Sequence, residues 1–544
     1  MLKRRTRAKY RPSRQPIMAS MFVVALLIGG AGCWMGTSPR VVTPPVKLAP
    51  AASETAKSVD SGPTAPAPHA RKVQAASSPG RLIMSSHRQM VFREPMATVE
   101  RDAIQQQVVQ AITALQAAIN AGKGGDFTLR DQVINASLVM NAEGGFCGDD
   151  GPRPADLVRA VVGFGHHLRN LKGQNPVARG AMTVSLALAY DLLYDHLDRE
   201  QRRDLARTLV DQAIVIALNG SYRPRGSPKR QWWADSATNW TTLIIGGSVL
   251  SALCLRPEDV PTQVRASMGD ETDAVQSWND VRRAALADGL GHLERCFIPI
   301  IRNGGGTNEG NGYHHDLLLP LMLVAEAVHQ HQRDPEQVSV AEEVGRFLDR
   351  AGEGTRWQIQ GDIHLGTPLP GIDFDYADGV WTLTDQPVTF LVATWARRTG
   401  ASDWRMAAWM AEQRCTKFSA LRAVFRRDFA WSQAVAEDPA GMADFRPQDI
   451  PTGYHLFRQN IPKGEPGTNE HLVVWRQRST DPLAAAVMFK GGDRRQDRHS
   501  SLDAGTFTYV AQGVLWNRRP GWTGDYRYYY RDDKSSGREV TLSH

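Results

Sequence analysis

From about residue 96 to about 440, apolar positions recur every three or four residues, the spacing of one face of a helix. The run over 97–121 holds that spacing and stops at Gly122, where a glycine ends a helix. The same pattern predicts helices near 154–170, 178–196, 199–218, 238–255, 279–300, 313–331, 338–351, 387–399 and 402–413. Several are apolar on more than one face, which predicts packing on both sides. Successive antiparallel helix pairs of this length predict an α/α toroid or solenoid. No repeat of fixed period accompanies them.

Near residue 450 the period changes. Tyr454–Arg458, Leu472–Arg476, Ala485–Lys490 and Thr506–Val510 are short runs rich in β-branched and aromatic residues, which predict an antiparallel β domain. The fold class expected is therefore mainly α followed by β. Four or five strands do not easily close a sandwich. The sequence stops at TLSH without a terminal feature, so the β part reads as truncated.

Ahead of the helices the pattern fails altogether. Residues 36 to about 80 are rich in Pro, Ala, Ser and Thr and hold too few large apolar groups to fold, which predicts a tether. Before it stands MASMFVVALLIGGAGC, residues 18–33, behind a basic head. A positive segment, an apolar core and small residues make an export signal. The small residues end at Cys33, as in a bacterial lipoprotein signal, although Gly30 stands where such signals usually carry leucine. An uncleaved single-span anchor is the alternative. Either way the body is expected outside the cytoplasm, in the periplasm or as an outer-membrane or cell-surface lipoprotein, touching a membrane only through its N-terminus. The expected divisions are a signal over 1–33, a linker over 34–90, a toroid domain over 91–445 and a partial β-sandwich over 446–544.

Composition changes this picture little. Hydrophobic residues make up 42% and charged residues 22%, as in a globular protein. Lys3, Arg4, Arg5, Arg7, Lys9, Arg11 and Arg14 account for the whole formal net charge of +7, so the rest of the chain is near neutral and no nucleic-acid partner is expected. Beyond Cys33, the cysteines Cys147, Cys254, Cys296 and Cys415 show no Cys-x-x-Cys spacing, which leaves disulfides or buried thiols open.

Five stretches, taken in order, resemble the heparinase II/III-like polysaccharide lyases. They are LALAYDLLYDHLDREQR (186–202), SATNWTTLIIGGSVLSAL (236–253), GGGTNEGNGYHHD (304–316), GIDFDYADGVW (371–381) and FKGGDRRQDRHSSLDAGTFTYVAQGVLW (489–516). The resemblance implies an incomplete α/α toroid followed by an antiparallel β-sandwich. It also implies β-elimination in an acidic polysaccharide. That chemistry needs a group to neutralise the uronate carboxylate, a base for the adjacent carbon proton and an acid for the departing glycosidic oxygen.

Tyr313 occupies the family's catalytic tyrosine position, just before a predicted helix and beside His314 and His315. A phenol has a pKa of about 10 in water, and nearby cations would lower it; the competing reading is a tyrosine packed at a helix start. Asn239 matches the family's helix-borne asparagine and would clamp the carboxylate as a neutral donor. Its competing reading is an N-cap or a buried structural amide. Some relatives carry a histidine next to this asparagine, where this chain has Trp240. Trp232 and Trp233 could stack on sugar rings, with Arg225, Lys229 and Arg230 meeting an anionic chain, or could be core aromatics beside a solvated basic loop. Glu309, His314 and Arg498 complete the expected substrate-binding set. His166 and His167 lie within a helical run and read as structural or groove-lining.

In zinc-bearing relatives a His-x-His precedes Leu-Asp-Ala-Gly, its first histidine catalytic and its second a zinc ligand. Here Leu-Asp-Ala-Gly is intact at 502–505, His499 aligns with the first histidine and Ser501 with the second. The resemblance places a further zinc-binding aspartate three residues beyond Trp516, where this chain has Arg519. A structural zinc site takes four N, S or O donors, so no zinc or other cofactor is expected, with Arg519 supplying local positive charge. Stoichiometric zinc in the purified protein would overturn this. Asp503 reads as orienting the turn or the histidine.

Two rival functions remain open. A glycoside hydrolase needs two carboxylates flanking the bond, for which Glu309 and Asp235 are the available pair. A non-catalytic polysaccharide-binding surface protein of the same fold is the other.

Overall fold

The computed structural model describes residues 98–141, 152–222, 227, 229–268, 271–302, 305, 310–330, 335–365, 388–399, 453–458, 470–477, 483–492 and 507–517. The signal, the tether and the predicted helix at 402–413 lie outside the described residues.

Twelve helices are described: α1 Thr98–Asn120, α2 Phe127–Asn141, α3 Pro154–Asn170, α4 Pro176–Leu192, α5 Arg199–Leu209, α6 Val215–Ser221, α7 Asn239–Cys254, α8 Trp278–Arg302, α9 Gly310–Gln330, α10 Pro335–Val338, α11 Ala341–Leu365 and α12 Val388–Arg398. A π-helical turn, Val210–Ile214, joins α5 to α6, and short 3-10 turns stand at Tyr194–His196 and Trp232–Asp235. The strands are β1 Gln263–Met268, β2 Glu271–Ser277, β3 Gly453–Arg458, β4 Glu470–Arg476, β5 Ala486–Gly492, β6 Phe507–Ala511 and β7 Val514–Asn517. None of the described helices is long and apolar enough to cross a membrane.

Local chemistry sets the starts of these helices. Asp126 accepts the Leu129 amide at 2.9 Å and Asn175 accepts the Val177 amide at 3.0 Å, each satisfying an amide that the first turn leaves open. Asp198 and Gln201 form a reciprocal capping box at the start of α5.

The helices fall into two rows. One runs α1, α3, α5–α6, α8, α11, and the other α2, α4, α7, α9, α12, each helix packing on the next in its row. The chain alternates between rows, so the second row collects the returning member of each helix pair. Its helices run parallel: Gly180 and Thr183 of α4 face Ile244 and Gly247 of α7, while Thr242 and Gly246 of α7 face Asp316 and Pro320 of α9.

Helix α7 is the hub. Every residue of it is buried except Trp240, which is half-buried. Its two adjacent glycines serve two neighbours: a Cβ on Gly247 would collide with the Thr183 hydroxyl of α4, and one on Gly246 would stand 3.1 Å from the Pro320 Cβ of α9. Glycines let helices approach at distances that larger side chains would prop apart.

The helical expectations hold for most of the segments described. Three differences stand out. Helix α2 was not expected; its apolar residues Leu129, Val133, Ile134 and Leu138 follow a clear N-cap. The β1–β2 hairpin was not expected either, and inserts between α7 and α8 in antiparallel register, with Ala266 opposite Ala274. Helix α11 runs to Leu365, well past the 351 expected, since its buried Thr355, Gln358 and Ile359 keep one face in the core.

The final five strands form one antiparallel sheet in sequence order, β3-β4-β5-β6-β7. The alternation read in the sequence sets its register: Val474 pairs with Met488, which pairs with Thr508, and all three are buried.

Candidate functional site

The sequence places its chief candidates at the starts of second-row helices, and the structure brings several of those starts together. Phe127 of α2 packs against Val177 and Ala181 of α4 and Leu243 of α7, with Trp240 at the edge of the same cluster. Trp240 in turn packs against Trp232, with ring centroids 4.8 Å apart and planes tilted by 51°. The first turns of α2, α4 and α7 thus share one end of the row.

Helix α9 joins them through a buried ion cluster. Arg130 is fully buried, with its Nε 2.7 Å from Asp131 and its Nη2 3.0 Å from Asp316 of α9. Its cation also lies 5.5 Å from the Phe127 ring centroid. Neighbouring helix axes lie about 8–10 Å apart. Between α2 and α9 stand α4 and α7, so a flat row would separate the two by more than these side chains span. The row is therefore bent where Arg130 meets Asp316.

Pro320 explains a second link. Proline carries no amide hydrogen, so it cannot make the helical bond to the carbonyl four residues earlier, which is that of Asp316. The Thr242 hydroxyl of α7 shares its one hydrogen between that freed carbonyl, 3.5 Å away, and Asn239 O, the nearer acceptor at 3.1 Å. The α7–α9 seam at this end therefore holds Asn239 and Thr242 on one helix and Tyr313 and Asp316 on the other.

The cluster is electrostatically constrained. Burial alone would depress the Arg130 pKa, but Asp131 and Asp316 outweigh it and hold the guanidinium more firmly protonated than usual. Burial raises the Asp316 carboxyl against the pull of Arg130. Burial lowers His315, with Asp131 opposing and Arg130 reinforcing, so the imidazole favours its neutral form. His315 Nε2 lies 3.9 Å from Asp131. Four polar atoms here are buried without a hydrogen-bond partner: Asn239 Oδ1, His315 Nδ1 and both Arg130 Nη1 and Nη2, so Nη2 meets Asp316 as an ion pair. Such groups cost stability, and each needs a reason to persist.

The expected residues are placed as follows. Tyr313 is half-buried on the first turn of α9. Asn239 is only 1% exposed and opens α7, whose N-cap is Thr238, so it is a buried amide rather than a cap. Trp232 is half-buried on the 3-10 turn. Trp233 was expected to meet substrate but belongs to the core: it is 2% exposed, and its ring lies where a Cβ on Gly220 would collide with it. It offers no open face to a sugar. Asp235 pairs with Arg230 at 2.9 Å. His166 and His167 sit on α3, in the first row, contacting Arg169 and Lys123 O. The side chain of His314 is not described. Glu309, Arg498, His499, Ser501, Asp503 and Arg519 lie outside the described residues.

Tyr190 of the first resembling stretch is structural. Its hydroxyl and that of Tyr194 both donate to Asp259, at 2.7 and 2.9 Å, and burial drives the Tyr190 pKa far upward. Among the described residues, no three His, Cys, Asp or Glu side chains stand together as a metal-binding group. Cys254 and Cys296 are buried.

Arg130, Asp131, Thr242, His315 and Asp316 were not singled out from sequence as site residues. The one available signal was position: His315 and Asp316 close the GGGTNEGNGYHHD stretch. Comparison of the sequence with models of known protein families gives no match, and comparison with curated proteins gives none either.

Proposed function

We propose that this protein is a polysaccharide lyase of the heparinase II/III-like type, cleaving a uronate-containing acidic polysaccharide by β-elimination outside the cytoplasm. The observation that carries the reading is the placement of Tyr313 and Asn239 on the first turns of two packed, parallel helices, α9 and α7. The parallel second row supports it further. Helix N-termini carry partial positive charge and favour anionic ligands, and here four of them meet. The bend at Arg130–Asp316 fits an incomplete toroid, and the five-stranded sheet fits one layer of a β-sandwich.

In the proposed reaction the Asn239 amide donates to the uronate carboxylate, which makes the neighbouring carbon proton easier to remove. His499 takes that proton, and Tyr313 gives one to the departing glycosidic oxygen. The carbon–oxygen bond breaks and a carbon–carbon double bond forms in the uronate. Asn239 reaches substrate only when the buried first turns open. Trp232 and the cations near it line the approach of the chain. No metal enters the scheme, because Ser501 and Arg519 replace donors at two ligand positions of the zinc-bearing relatives.

Elimination leaves an unsaturated uronate that absorbs in the ultraviolet, whereas hydrolysis does not. A panel of uronate polysaccharides assayed at that absorbance should give signal with one class of polymer. Tyr313→Phe, if folded, should lose about 10²- to 10⁴-fold in rate. Cleavage without the absorbance would make the protein a hydrolase, and undiminished activity in Tyr313→Phe would remove the tyrosine from the mechanism.

A further inference from the structure

The start of α9 is poorly equipped to hold its own shape. It opens Gly310-Asn311-Gly312, and glycine inside a helix leaves the backbone more freedom than other residues do. Tyr313 follows at once. One turn later Asp316 stands on the same face as Tyr313, since residues three apart share a face. Asp316 is also where α9 is fastened: by Arg130 of α2 at 3.0 Å, and by the Thr242 hydroxyl on the carbonyl that Pro320 frees.

A buried guanidinium is costly, and in this one Nη1 has no hydrogen bond while Nη2 holds Asp316 as an ion pair. Apolar replacements of such clusters are often neutral or stabilising, which leaves a registry role as the best-attested reason to retain them. Arg130 does not face solvent, so it has no open route to a polymer. Its fixed fork instead ties the first turn of α2 to the second turn of α9, beside the approach of His315 to Asp131 at 3.9 Å.

We infer that Arg130 is a positioning residue, which sets the place of Tyr313 by clamping Asp316. The inference rests on the lyase reading for its catalytic consequence, but the clamp can be read without it. Two measurements on the full chain separate them. In Arg130→Met, hydrogen exchange of the 310–316 amides should rise by on the order of tenfold relative to the 321–330 amides of the same helix. In steady-state assays kcat should fall on the order of 10- to 100-fold with KM within about twofold, the mark of misplaced catalytic groups rather than lost binding.

Arg130→Met leaves Asp316 buried and unpaired, so the double variant Arg130→Met/Asp316→Asn serves where the single one fails to fold. It should regain thermal stability yet keep the low kcat and the fast exchange. Unchanged exchange at 310–316 in either folded variant overturns the clamp. Full kcat in the double variant overturns the catalytic consequence. A wild-type protein inactive on every uronate polymer overturns the lyase reading and leaves the exchange result to decide the clamp.

Discussion

Gly180 of α4 faces the backbone of α7 so closely that an added Cβ would stand 2.9 Å from the Ile244 nitrogen. The atom in the way is main chain, so a turn of the side chain cannot relieve the contact. Gly180→Ala should destabilise the protein by about 1–3 kcal/mol, the usual range for an overpacked core. Gly291 of α8 is the control, since a Cβ there meets nothing within 4 Å. Gly291→Ala should stabilise by about 0.5–1 kcal/mol through helix propensity. Denaturant midpoints of the two variants check the pair, and equal shifts of one sign would contradict the proposed seam.

His315 gives a pH signature. Burial, the largest influence, lowers its pKa below the ordinary 6.5, with Asp131 and Asp316 opposing and Arg130 assisting. Between the lowered folded value and the unfolded value, the unfolded chain binds the extra proton. Stability from keeping this imidazole neutral is therefore complete above about pH 6.5 and is lost as pH falls below it. In His315→Asn that part of the slope should vanish. Urea unfolding of both proteins at half-unit steps from pH 5 to 7.5 reads the difference, and parallel slopes would remove His315 as its source.

Cys254 and Cys296 are each about 1% exposed, and burial raises the Cys254 thiol well above its ordinary range. A thiolate is the reacting species, so both should resist alkylation in the native protein. Iodoacetamide followed by peptide mass spectrometry should find both unmodified until denaturant is added. Labelling of either in the native state would show that the helices around it open.

The helices were legible because most carry one or more apolar faces with an end signal, as at Gly122. Helix α2 lies outside those expectations, although Asp126 and its apolar spacing mark its start. The hairpin β1–β2 is short and mixed in polarity, and the inward positions Val264 and Ala266 are too few to stand out from a connecting loop. Tyr313 and Asn239 were legible as candidates because their flanking motifs are distinctive. Arg130 was not, since an arginine in a helix ordinarily reads as solvated. Its meaning comes from Asp316, far along the chain, and one-dimensional spacing holds no trace of that contact. Trp233 shows the converse: a tryptophan pair reads alike whether it faces a sugar or the core, and only burial distinguishes them.

Helix α7 has almost no side of its own turned to water, and its two glycines commit it to α4 and α9 at once. Repeat arrays whose units touch only their neighbours can melt piecemeal, from an end inward. Here losing either flank strips the hub of the surface that keeps it helical, so the helices around α7 should stand or fall as one block. Helical circular dichroism and Trp fluorescence should then follow a single coincident transition, and two separated transitions would mean that the hub does not bind the rows into one cooperative unit.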